Sequence, residues 1–189
     1  MSSYPWEHDA FKHMLEGVTR QHFFEEFHEN KSLHSLHDDP KRYSDLLSID
    51  RIDEVIANSE LPPEALRMAR SEPSITRSNY TFSNGNIDRG AVVRHYQQGA
   101  TIILPQLHLA DEVLAHFCRA LEKIFSTHVQ TNIYLTPPNN KGFDTHYDDH
   151  DVFVMQISGK KNWKLYRKPI ENPYRGENFK PNVHEAGEV

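Results

Sequence analysis

This chain of 189 residues has one cysteine, Cys118, so no disulfide can form within it. No apolar run approaches the roughly 20 residues of a membrane-spanning helix, which leaves membrane insertion without a candidate segment. A basic excess is also missing. With 21 Lys and Arg against 27 Asp and Glu, the formal charge is −6, opposite to what a phosphate backbone attracts, so no nucleic-acid partner is expected. The opening MSSYPWEHDAFKH lacks the apolar core of a secretory leader, and a cytoplasmic protein is the expectation. Only 37% of residues are hydrophobic, but 10 Phe, 8 Tyr and 2 Trp suffice to anchor a core. No repeat or low-complexity tract interrupts it.

The first half reads as polar helices. One is expected over His8 to Glu16, and another after Thr19, an N-cap candidate, with Phe23, Phe24 and Phe27 sharing a face. Pro40 to Leu47 reads as a short helical start, and Ser48 as the cap of IDRIDEVIA, where Ile49, Ile52, Val55 and Ile56 recur at helical spacing. Pro62-Pro63, Pro73 and the turn-forming SNGNIDRG then break regular structure. The expected division is a helical region over 1–60, a connecting segment over 61–90 and a sheet-rich region over 91–189.

In that last region AVVRHY and ATIIL read as strands joined through Gln97-Gln98-Gly99. A helix over Leu109 to Phe125 should bury Val113, Phe117, Leu121 and Ile124. TNIYL, DVFVMQI and NWKLY follow as further strands, the last two around a Ser158-Gly159 turn, and short strands in series imply antiparallel pairing.

Chemistry concentrates in His146-Tyr147-Asp148. An imidazole and a carboxylate two residues apart can hold one metal ion, and two His with one carboxylate leave positions open on a divalent iron-like cation. The chain supplies two of those three ligands at this point. His150 cannot be the third from the same strand, because at ~3.3 Å per residue its Cα lies about 13 Å from that of His146. With 13 histidines in the chain a His-x-Asp pair arises easily by chance, and the bland reading is a pair of surface polar residues. By the same bland reading Lys161 is a solvated turn residue, and Asn132 a hydrogen-bonding residue at a strand edge.

The flanks decide between these readings. GATIIL, TNIYLTPPNNKGFDTHYDDHDVFVMQISGKKNWKLY and, more loosely, TRQHFFEEF with KRYSDLLSIDRIDEVI resemble the JmjC-type cupin oxygenases, specifically their bacterial cupin-like and ribosomal-oxygenase branch. The resemblance implies an α+β fold: N-terminal helices followed by a double-stranded β-helix of the cupin or jelly-roll kind. It implies Fe(II) held by His146 and Asp148, and 2-oxoglutarate as cosubstrate, its distal carboxylate paired with Lys161 and its seat completed by Asn132. The activity implied is dioxygenase chemistry that hydroxylates a protein or peptide side chain, a ribosomal protein in this branch.

The branch also uses a second iron-binding histidine on a late strand, and no such segment follows the motif here; His184, in NVHEAGEV, lacks the surrounding strand. An incomplete barrel is therefore expected, unable to couple 2-oxoglutarate decarboxylation to hydroxylation alone and prone to self-association through unpaired strand edges. The alternative is a non-catalytic cupin-derived module that binds a peptide or serves assembly.

Overall fold

The computed structural model describes residues 4–57, 61–141, 143–166, 170 and 172–177. They fall into two compact units, Met1–Ala10 with Ser44–Asp144, and Phe11–Tyr43 with Thr145–Val189. The described helices are α1 (Ala10–Met14), α2 (Arg20–Glu26), α3 (Ile49–Ala57), α4 (Arg89–Gln97) and α5 (Glu112–Phe125). The described strands are β1 (Arg67–Ala69), β2 (Thr101–Leu104) and β3 (Ile133–Leu135).

In the first unit the three strands form an antiparallel sheet ordered β1-β2-β3, with Met68 opposite Ile102 and Ile102 opposite Leu135. The central strand is the most deeply placed, with Thr101, Ile102 and Leu104 all buried. Thr101 stays satisfied through a 3.0 Å hydroxyl bond with Thr136. Helix α5 begins where Asp111 caps it by accepting from the Leu114 N–H at 3.0 Å, and it buries Leu114, Phe117, Cys118 and Leu121. Val113 and Ile124, expected on that face, are half-buried at its margins. Arg51 of α3 donates to the same Asp111 carboxylate at 3.0 Å, so one buried acid ties a helix start to a second helix. Ser48 caps α3 as expected, accepting from the Arg51 N–H at 3.1 Å.

AVVRHY is helical rather than a strand. The side chain of Asp88 accepts from the Ala91 N–H at 3.0 Å and starts α4, which buries Ala91 and Val92 while Val93 is half exposed. A local cap thus outweighs the strand preference of two adjacent valines. Just past the helix end stands Gly99, whose φ of +100° suits glycine. A Cβ there would also meet the Asn140 amide oxygen at 2.4 Å. Within 61–90, β1 forms an edge of the sheet.

His108, 5% exposed, accepts the Thr131 N–H on Nδ1 at 3.1 Å. Burial holds its pKa below the ordinary 6.5; the cations Arg119 and His128 push the same way, while Glu122 and the Thr131 bond oppose. A lowered folded value means that the unfolded chain takes up the proton more readily, so stability rises with pH across the gap. It should be complete above pH about 6.5 and fall as pH drops through the lowered folded value. Thermal melts of His108→Asn, which keeps an acceptor, are expected to lose that part of the acid sensitivity. An unchanged profile would show that another group carries it.

In the second unit Thr19 caps α2, accepting from the His22 N–H at 3.2 Å. Phe23 is buried, packed edge-on against Phe11 at 5.5 Å and against Phe153 at 5.9 Å. Phe24 and Phe27 are half-buried beside it. Arg42 donates to the carbonyls of His13 and Lys12 at 3.0 and 2.7 Å, and the Tyr43 hydroxyl to that of Met14 at 2.9 Å. Residues 40–46 form turns rather than the expected helical start. The strands expected in DVFVMQI and NWKLY are not formed among the described residues. A strand needs a neighbour to take its N–H and C=O groups, and no described ladder reaches this segment.

Candidate functional site

The 146–150 segment places its residues by alternation. Tyr147 and Asp149 are half-buried, while His146, Asp148 and His150 are exposed. Burial raises the Tyr147 pKa, and the nearby Glu177 adds to the effect. Asp149 accepts the Gly176 N–H at 2.5 Å and pairs with His150 at 3.2 Å; the backbone bond first, then the histidine, holds its carboxyl below the usual range. The imidazole of His146 and the carboxylate of Asp148 are exposed on either side of the half-buried Tyr147.

That donor set suits a divalent iron-like ion in kind, though not in number. Among the described residues, no group of three metal-capable side chains includes His146 or Asp148. His184 lies outside the described residues.

Lys161 is exposed, in the same unit as His146 and Asp148, with its ammonium 5.4 Å from the centre of the Trp163 ring. Asn132 belongs to the other unit. It is half-buried, and its side-chain oxygen accepts the Gln106 N–H at 3.0 Å, steadying a left-handed residue with φ of 51°.

A feature that sequence reasoning missed is a shallow cavity of about 280 Å³ in the first unit, lined by Gln106, His108, Leu109, Ala115, Arg119 and His128. Its charged groups are spoken for. Glu122 takes Arg119 at 2.8 Å and His128 at 2.9 Å as well as the Val129 N–H. No spacing rule joins these residues, because a loop return brings 128 back to the end of α5. Cys118 bonds Thr131 at 3.0 Å, and burial raises its pKa, so it is a packing residue rather than a nucleophile. No described helix is long and apolar enough to cross a membrane.

Residues 103–187 match the family profile described as JmjC domain. A protein of Drosophila grimshawi named bifunctional lysine-specific demethylase and histidyl-hydroxylase NO66 is 33% identical over 161 residues, 84% of this chain and 22% of its own length. Proteins of the same name from Drosophila yakuba and Culex quinquefasciatus are 30% and 33% identical, over 82% and 79% of this chain. The chain spans about a fifth of the length of these relatives, 22 to 23%.

Proposed function

We propose that this chain, a member of the JmjC-domain family through residues 103–187, is part of an Fe(II)- and 2-oxoglutarate-dependent oxygenase that hydroxylates a protein side chain. The observation that carries the reading is the outward-facing His146 and Asp148 pair inside the matched region. His146 would give one nitrogen and Asp148 one carboxylate oxygen to the ion. The half-buried Tyr147 between them and the anchored Asp149 beside them would help to hold both side chains on one side. Iron, when bound, supplies oxygen activation. The chain's own residues orient the ion and its cosubstrate.

Lys161 would pair with the far carboxylate of 2-oxoglutarate, a compact charge suited to an anion that enters and leaves every cycle. Its position over Trp163 leaves the ammonium accessible to solvent. Asn132 would assist the cosubstrate through its amide. The double-stranded β-helix belongs to this proposal too, with the described three-stranded sheet as its first part. The relatives' names direct attention to histidine and lysine side chains of proteins as substrates. The ribosomal-oxygenase resemblance points to a ribosomal protein.

Lys161→Ala is expected to weaken 2-oxoglutarate about ten- to a hundredfold, the ~1.5–3 kcal/mol of a hydrogen bond to a charged group. Iron affinity should change little. Isothermal titration of the Fe(II)-loaded protein under anaerobic conditions reads both, and an unchanged 2-oxoglutarate affinity would remove Lys161 from the site.

A second reading, a non-catalytic module for peptide binding or assembly, is favoured by the missing third ligand among the described residues. Val152, Val154, Trp163 and Leu165 are each more than half exposed and offer apolar surface for self-association or for a partner. Iron-dependent binding of 2-oxoglutarate separates the two readings, because the second requires none.

A further inference from the structure

We infer that His28, Glu29 and Asp151 form a second divalent-cation site, separate from the pair at His146 and Asp148. Each of the three offers one ligand atom, and these atoms lie within 4.8 Å of one another. The His28 Nε2 is 3.9 Å from an Asp151 carboxylate oxygen. Metal bonds of ~2.1 Å require the donors to close by about an ångström, a movement open to surface side chains such as Asp151, 61% exposed.

The packing explains why residues so distant in sequence meet. Phe153 lies against Phe23 of α2, 5.9 Å between ring centres, and two residues earlier in its segment comes Asp151. His28 follows the end of the same helix, its N–H bonded to the Phe23 carbonyl at 3.0 Å and its ring 5.1 Å from that of Phe24. One aromatic contact therefore sets both the acid and the imidazole. Glu29 turns the chain out of the helix with φ of 57° and brings the second carboxylate.

Electrostatics favours a cation there. Two carboxylates within 4.8 Å repel, and the neighbouring Lys31 is directed to Glu26 at 3.3 Å and to the Phe27 ring at 4.9 Å. The carbonyl end of a helix adds attraction for positive charge. One imidazole with two carboxylates suits Zn(II), Mn(II) or Fe(II), with water filling the remaining positions, rather than the all-oxygen shells of Mg(II) or Ca(II). A bound ion would pin the segment after the His146–Asp148 motif to the end of α2. Its role is to hold that segment, independently of oxygen chemistry.

Zn(II) titration calorimetry on three proteins tests this: the unaltered chain, Glu29→Gln with Asp151→Asn, and His146→Ala with Asp148→Ala. The first double variant changes only exposed oxygens, and circular dichroism checks that it folds as the parent does. The expected result is that it loses a Zn(II) equivalent that the second double variant keeps, and that Zn(II) raises the melting temperature of the parent but not of the first variant. Undiminished Zn(II) binding by the first variant would overturn the site, leaving His28 and Asp151 as an ion pair of imidazolium and carboxylate. Equal loss in both variants would overturn it as a separate site. Loss of one Fe(II) equivalent in the second variant, beyond any that His28, Glu29 and Asp151 still hold, reports on the iron pair, so either proposal can fail while the other stands.

Discussion

Asp148→Ala is expected to lower the Fe(II) affinity of the protein by about 100-fold or more, the upper end of what even outer partners of a metal ligand contribute. In the proposed site the acid would have two roles at once: it would be an oxygen donor, and its charge would offset that of the ion. Without it, His146 stands as the one protein donor at this point, and a single imidazole does not hold Fe(II) against water. Because Asp148 is exposed and takes part in no described core contact, the fold should survive the change. Anaerobic calorimetry with Fe(II) measures the loss, and circular dichroism confirms the fold. An affinity within threefold of the parent, about 0.7 kcal/mol, would show that Asp148 is not a ligand.

Phe117→Ala is the largest expected change in stability. Phe117 is 4% exposed, on the buried face of α5, with its ring edge-on to that of Trp6 at 5.3 Å. Trp6 is itself 2% exposed and stacks on Tyr4 at 4.9 Å. Removing the ring leaves a cavity under the amino-terminal segment and takes away the aromatic partner, and such truncations cost about 3–5 kcal/mol. Against the 5–15 kcal/mol that holds a typical domain together, most of the protein would be close to unfolding at moderate temperature. Urea unfolding followed by tryptophan fluorescence gives the difference directly. A loss under about 1 kcal/mol would mean that Trp6 does not rest on this ring in solution.

Local signals were the legible ones. Thr19 and Ser48 announce their helices because a side-chain oxygen caps an N–H only a few residues away. α5 was visible from its period, although its buried line runs through Leu114 and Cys118 beside Phe117 and Leu121. α4 departs from the strand that Val92 and Val93 favour, because the deciding cap, Asp88, stands in a turn-forming stretch. β1 is three residues long between prolines, too short to show alternation, and exists because β2 pairs with it. The same dependence on partners explains the missing strands at 151–157 and 162–166: alternating side chains state a preference that only a neighbouring strand can realise.

The site divides along the same line. The proposed roles of His146, Asp148 and Lys161 rest on their flanks, where residue type and spacing are written in one stretch. Asn132, one residue before β3, shows how a polar residue can also have a local task, here the bond to Gln106. The meeting of His28 and Glu29 with Asp151 depends on Phe23 and Phe153 coming together, which no motif encodes.

Whether Fe(II) and 2-oxoglutarate bind together at His146, Asp148 and Lys161 is read most directly by anaerobic visible spectroscopy of the Fe(II)-loaded protein titrated with 2-oxoglutarate. A saturable charge-transfer band is expected from the parent, requiring higher 2-oxoglutarate in Lys161→Ala and absent in Asp148→Ala. No band from the parent, or an undiminished band from Asp148→Ala, would contradict it.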